Sequence, residues 1–198
     1  MIKVVLPAVA AGLISTSVLA ADIKLPEPGK SETASLMQAL EARHSDRAFA
    51  DKDISLQELS TVLWAAYGTN RPDGKRTIPT AMNEKDLSIY VFNKDGIYLY
   101  DADENLLNQV SDKNQLFLFQ KQDYMTNVPV VLVYVGSRED YAAMHAGSAY
   151  QNVGLYAAAH NMANIVRGYF DRDGVAKALK LGKTERVIIS QAIGWPEK

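Results

Sequence analysis

Between residues 128 and 135 the chain reads Val-Pro-Val-Val-Leu-Val-Tyr-Val. A nearly unbroken β-branched run of this kind predicts a central strand covered on both faces. Residues 87–92 predict a second strand, Asn93-Lys94-Asp95-Gly96 a hairpin turn, and residues 97–100 the returning strand. Helical spacing starts earlier. Leu36, Met37 and Leu40 share one face of a helix predicted over 31–44. Ser55 and Glu58 form a capping box ahead of Leu59, Val62, Leu63 and Ala66, with Gly68 just past the helix end. Residues 138–164 predict one long helix rich in small residues, and residues 171–181 a shorter one. A last strand runs over 186–193 and is stopped by Gly194 and Pro196. Residues 70–76 are a polar loop, and the aromatic stretch 115–123 reads as a short helix or cover. Mixed helices and strands with a hairpin predict an α+β sandwich, a mainly antiparallel sheet covered by helices.

The first twenty residues stand apart. Lys3 is followed by an apolar run, then by Val18-Leu19-Ala20 ahead of Ala21-Asp22. This is the pattern of a cleavable secretory signal peptide. The run falls short of the ~20 residues that a membrane-spanning helix needs, so no stable membrane anchor is expected after cleavage. The domain reading is therefore a signal peptide at 1–20, an N-terminal arm at 21–30 containing Pro26, Pro28 and Gly29, and one domain over 31–198. The expected location is the periplasm. The 198 residues contain no cysteine and carry a formal charge of −2. That excludes a disulfide scaffold, cysteine-ligated metals and a cysteine nucleophile. It also gives no electrostatic footprint for nucleic acid.

Three clusters carry candidate chemistry. Arg43-His44-Ser45-Asp46-Arg47 closes the first helix, and its guanidinium, imidazole and hydroxyl groups can wrap a phosphate. The same residues also suit an ordinary solvated helix end. Pro79-Thr80-Ala81-Met82-Asn83 offers small residues against which a flat ligand can lie, or simply a loop entering a strand. Arg167-Gly168 precedes Tyr169-Phe170-Asp171 and reads either as a close-approach glycine or as a plain turn. His145 and His160 lie fifteen residues apart on the long predicted helix, roughly 22 Å at its rise per residue, so they cannot share a metal within one chain. Asp101, Asp103 and Glu104 lack the rest of a calcium loop. Phosphate-binding P-loop, dinucleotide-binding and nucleophile-elbow motifs are missing.

Taken in order, these clusters resemble the nitroreductase-like FMN-dependent flavoproteins. Arg43-His44-Ser45-Asp46-Arg47-Ala48-Phe49 resembles the family's first motif and Pro79-Thr80-Ala81-Met82-Asn83 its second. Arg167-Gly168-Tyr169-Phe170-Asp171 and Gly194-Trp195-Pro196 resemble the remaining two. The likeness runs over roughly residues 33–197. His160-Asn161-Met162-Ala163 departs from the Leu-Gly-Leu-Gly often found there. The resemblance implies an intertwined homodimer with FMN at the interface. Arg43, His44 and Ser45 would hold the phosphate and ribityl chain, and Arg47 the pyrimidine edge. Pro79, Thr80 and Ala81 would lie along one ring face, with Met82 also among the cofactor-binding residues, Asn83 at the ring edge and the Arg167 and Gly168 backbone near N5 and O4. Past the last motif only Lys198 is left to return a positive charge to the phosphate. No side chain is implied as nucleophile, because the flavin carries the hydride. Phe117, Phe119, Tyr124 and Tyr169 are candidates for an aromatic mouth, or for core and dimer contacts. The implied activity is two-electron transfer from a donor such as NAD(P)H to a nitroaromatic, a quinone or a similar flat acceptor. A flavin carrier without turnover and a dimer that has lost its flavin remain open alternatives.

Overall fold

The computed structural model describes residues 22–31, 34–137 and 139–197. The predicted signal peptide, Lys198 and the predicted helix start at Arg138 lie outside the described residues. Among the described residues, seven strands form one sheet: β1 (Ile23–Lys24), β2 (Leu87–Asn93), β3 (Gly96–Asp101), β4 (Leu106–Ser111), β5 (Val130–Gly136), β6 (Ala163–Arg167) and β7 (Arg186–Gly194). Their order is β1-β4-β3-β2-β5-β7-β6. Every pairing is antiparallel. The helices are α1 (Leu36–Ala42), α2 (Leu56–Tyr67), α3 (Glu139–Ala159) and α4 (Arg172–Ala178).

β5 is covered on both faces because successive side chains alternate. Val130, Leu132 and Tyr134 join the core beneath α2 and α3. Val131, Val133 and Val135 join a second core with Phe119, Phe170 and Val175. α2 begins on the predicted Ser55–Glu58 capping box, and α1 on a second one, Ser35–Gln38, which the sequence reading did not single out. In the β2–β3 hairpin, Asn93 Oδ1 accepts from the amides of Asp95 and Gly96. Gly96 has φ +148°, and a Cβ there would stand 2.2 Å from the Ser111 carbonyl oxygen, so only glycine fits.

The structure adds to and revises the sequence reading. The long helix stops at Ala159, not 164. Asn161 takes a left-handed φ of 54°, the Met162 amide bonds back to Ala157 O, and the chain leaves as β6. β4 was not predicted, because Asn108 and Gln109 interrupt its apolar pattern. Leu36, Met37 and Leu40 do not face the core. They are 65, 71 and 44% exposed, while Ala39 is the buried residue of α1. On α3, Ala142, Ala146 and Ala149 are packed inside this chain, while Ala143 is exposed.

Arg76 is buried and clamps the loop before β2. Its guanidinium donates to both Asp103 oxygens at 2.7 and 3.1 Å, donates to the Thr69 hydroxyl and lies over the Tyr67 ring. This pairing, with smaller help from Thr69 and Lys85, holds the Asp103 carboxyl down at about 2. A depressed carboxyl stabilises the fold above its unfolded value near 4, and that contribution is lost as pH falls toward 2. Asp103 is half exposed, so solvent screens the pair. Asp103→Ala should therefore cost about 1–2 kcal/mol at pH 7, mainly by leaving Arg76 buried without its anion. The gap from wild type should close toward pH 2. Urea denaturation across that range measures both.

Candidate functional site

The segment after α1 is cationic and held by its backbone. The Asp46 amide donates to Asn164 O at 2.9 Å, and the Asn164 amide donates to Asp46 Oδ2 at 2.9 Å. β6 is the last strand of the sheet, so residues 44–46 cap its outer edge at Asn164. Asn164 is braced in turn: Gln191 Nε2 donates to its Oδ1, and the buried Tyr134 hydroxyl donates to Gln191 Oε1 at 2.6 Å. A polar chain thus runs from the sheet centre to the cationic segment. On the other side, the Ala50 amide donates to Trp195 O, and the Glu197 amide to Ala48 O. Phe49 is buried as the anchor between them. The first and fourth motifs are therefore one structural unit.

On this braced backbone, Arg43, Ser45 and Arg47 are all exposed. None of the three side chains makes a hydrogen bond or ion pair among the described residues. The Arg43 stem lies over Gly154 of α3, 3.7 Å from where a Cβ would stand. His44 is committed locally: Nδ1 lies 2.7 Å from Ala42 O, and Nε2 lies 2.9 Å from Asp46 Oδ1. The Ala42 carbonyl, followed by the Asp46 charge, raises its pKa. The imidazolium therefore persists to higher pH than in a free histidine. It adds positive charge to the segment but has no ring nitrogen to spare.

The second cluster stands at the other half of α3. Ile78 is buried, Pro79 is exposed, and Thr80 and Ala81 are half-buried. Residues Ala81–Asn83 form a single 3-10 turn. The Ala81 amide donates to Nε2 of His145 at 2.9 Å. His145 and Gly154 are nine residues apart, so the two clusters lie roughly 14 Å apart along the helix.

The third cluster follows β6. Gly168 is exposed but does not adopt a positive φ. Arg167 points inward, with its guanidinium donating to Phe119 O at 3.0 Å, Gln122 Oε1 at 2.7 Å and Tyr169 O at 2.9 Å. It fastens the 116–125 cover to the sheet, which leaves only its backbone for a ligand. The aromatic candidates divide. Phe119 is fully buried, whereas Phe117 and Tyr169 are 64 and 62% exposed. Tyr124 lies under the Arg167 guanidinium. Among the described residues, no group of three histidine or acidic side chains can hold a metal ion.

Asp46 lies inside the first motif, but its brace Asn164 and the His145 anchor carried no signal in the sequence. Asn164 is 118 residues from Asp46, and His145 is 64 residues from Ala81.

The nitroreductase family model matches residues 40–195. The chain belongs to the nitroreductase family. A Methanocaldococcus jannaschii protein assigned to the nitroreductases is 28% identical over 181 residues, which covers 81% of this chain and 90% of that protein. A crystal structure of a Ralstonia eutropha protein assigned to the same enzymes is 32% identical. It covers 100% of this chain and 97% of its own, with a TM-score of 0.81. A Desulfovibrio desulfuricans relative, crystallised with FMN, superposes with a TM-score of 0.61 at 17% identity over 83% of this chain and 88% of its own, a likeness of fold. This nitroreductase-family chain is thus of oxidoreductase class, and its first three motifs fall within the matched span, which ends inside the fourth at Trp195.

Proposed function

We propose that this nitroreductase-family protein is an FMN-dependent oxidoreductase. The observation that carries the reading is the braced, solvent-facing segment 43–47, whose two guanidinium groups and hydroxyl have no partner of their own among the described residues. Free cations on a fixed backbone suit a phosphate dianion, because little order is lost on binding. Arg43 and Ser45 hold the phosphate end, His44 adds charge behind them, and Arg47 reaches the pyrimidine edge. Pro79, Thr80, Ala81, Met82 and Asn83 line the ring, and the Arg167 and Gly168 backbone faces its other edge. FMN supplies the hydride-carrying N5 when bound. The protein's share is position, field and exclusion of water. The exposed Phe117 and Tyr169 are placed to stack a flat acceptor, such as a quinone or a nitroaromatic, after a donor of the NAD(P)H type has left.

The deciding experiment is an absorbance spectrum of the purified protein, followed by NADH or NADPH under anaerobic conditions and then a quinone. Flavin bands that bleach and return support the oxidoreductase. Bands that never bleach with either nicotinamide leave a flavin carrier, and a colourless protein that takes up no FMN overturns the reading.

Arg47→Ala should leave oxidised FMN bound while lowering its reduction potential by roughly 20–60 mV. This corresponds to the ~1–3 kcal/mol lost when a cation no longer meets charge that develops only on reduction. Redox titration against wild type measures the shift.

The exposed Leu36, Met37 and Leu40 on α1, with Met144 (65% exposed) on α3, support a homodimer that covers them and holds FMN at its interface. Such an interface should bury more than ~2,000 Å². Sedimentation as a flavin-loaded monomer at micromolar concentration would count against it. The leader at 1–20 supports export to the periplasm. Intact mass of the exported form should begin at Ala21 or Asp22.

A further inference from the structure

The loop assigned to the flavin ring is held in an unfavourable shape. Met82 and Asn83 are consecutive non-glycine residues with φ of 51° and 59°. Asparagine tolerates this region, but a methionine side chain does not favour it. Met82 is 69% exposed, so burial of its own side chain does not offset the strain. Strained turns of this kind persist only where their surroundings over-determine them, and they gather at ligand sites.

Inside the loop, Thr80 O accepts from the Asn83 amide and Ala81 O accepts from the Glu84 amide. One contact that fixes the loop to α3 is the Ala81 amide on His145 Nε2, at 2.9 Å. A backbone N–H can only donate, so Nε2 must be bare and the ring proton must sit on Nδ1. Nδ1 in turn lies 2.8 Å from Asp86 Oδ1. The two side chains are only 5 and 8% exposed, and Tyr141 stacks on the imidazole from one turn earlier. Asp86 Oδ2 is buried without a partner. A buried carboxyl group with an orphaned oxygen is a poor way merely to tie the start of β2 to α3, since an apolar contact would do so at lower desolvation cost. What the carboxylate does accomplish is to fix the tautomer that leaves Nε2 free to accept.

We propose that Asp86 and His145 are a positioning pair for the flavin ring. Asp86 sets the imidazole tautomer, His145 holds the Ala81 amide, and the bond fixes where Thr80, Ala81 and Met82 stand against the ring plane. This rests on the FMN reading above. Neither residue touches the reacting atoms.

Three measurements on the full chain test it. The ring ¹⁵N shifts of His145 in wild type should show a protonated Nδ1 and a bare Nε2. The opposite tautomer overturns the proposal whether or not any variant folds. His145→Phe keeps a ring but removes the acceptor. It should speed hydrogen exchange of the Ala81 amide and weaken FMN binding about tenfold or more, as expected for a buried donor left unpaired. His145→Gln restores an acceptor at the side-chain end and should return both readouts to within about threefold of wild type. A bulk packing role predicts instead that glutamine is no better than phenylalanine, which would overturn the proposal. So would wild-type FMN affinity in His145→Phe when Ala81 exchange is fast. Wild-type protein that takes up no FMN overturns the flavin reading and the positioning role with it, while the ring shifts and Ala81 exchange still report whether the bond exists.

Discussion

Arg43→Ala should weaken FMN binding about tenfold to a hundredfold, the equivalent of the ~1.5–3 kcal/mol carried by a charge-assisted hydrogen bond. The arginine is exposed and without a hydrogen-bond or ion-pair partner among the described residues, so its removal leaves no buried group unsatisfied and should leave stability unchanged. Ser45→Ala removes a neutral donor and should show a smaller loss. Asp46→Ala should act differently. It removes the side-chain half of the Asn164 brace and the acceptor for His44 Nε2, so it loosens the segment as well as the ligand. Flavin-release titrations of the three variants, paired with urea unfolding, separate these effects. A solvated helix end with no ligand role predicts wild-type flavin content in Arg43→Ala and Ser45→Ala.

Phe119→Ala should destabilise the fold by about 3–5 kcal/mol, the range for deleting a fully buried aromatic ring. Phe119 is 0% exposed. It meets Phe92 edge-on at 5.0 Å and Phe170 at 5.4 Å, contacts that add to area burial. For a domain of this size the melting temperature should fall by roughly 6–20 °C. Phe117, two residues away, offers the contrast. It is 64% exposed, so Phe117→Ala should stay within about 0.5 kcal/mol of wild type and should instead raise the KM for a flat acceptor. If both variants are equally unstable, the assignment of Phe117 to the acceptor mouth fails.

The pair Phe117 and Phe119 shows what local sequence can and cannot convey. An aromatic cluster marks a segment worth attention, but which ring turns inward depends on a 3-10 turn and on the inward-pointing Arg167, 48 residues away. The central strand was legible because its apolar run has only one reading at that length. β4 was not, because Asn108 and Gln109 sit where alternation should have shown. β6 was absorbed into the helix before it. No glycine or proline marks the boundary, and Asn161 makes the left-handed break instead. The four motifs placed the candidate ligands. Their supports are contacts between distant parts of the chain, Asp46 with Asn164 and Ala81 with His145. Single residues of common type, far apart in sequence, carry no periodicity from which such contacts can be read.

The position of β5 has a consequence for how the chain must be made. One of its neighbours, β2, is synthesised before it, but the other is β7, whose residues Arg186–Gly194 arrive some fifty residues later. Until then Val130–Gly136 presents an open, apolar, β-branched edge of the kind that pairs readily with other chains. A ribosome adding ~5–20 residues per second leaves that edge uncovered for several seconds. Fragments truncated ahead of Arg186 should therefore accumulate as aggregates and not as soluble partial domains. A protease cut in the stretch between α4 and β7 would release the same hazard from a finished molecule.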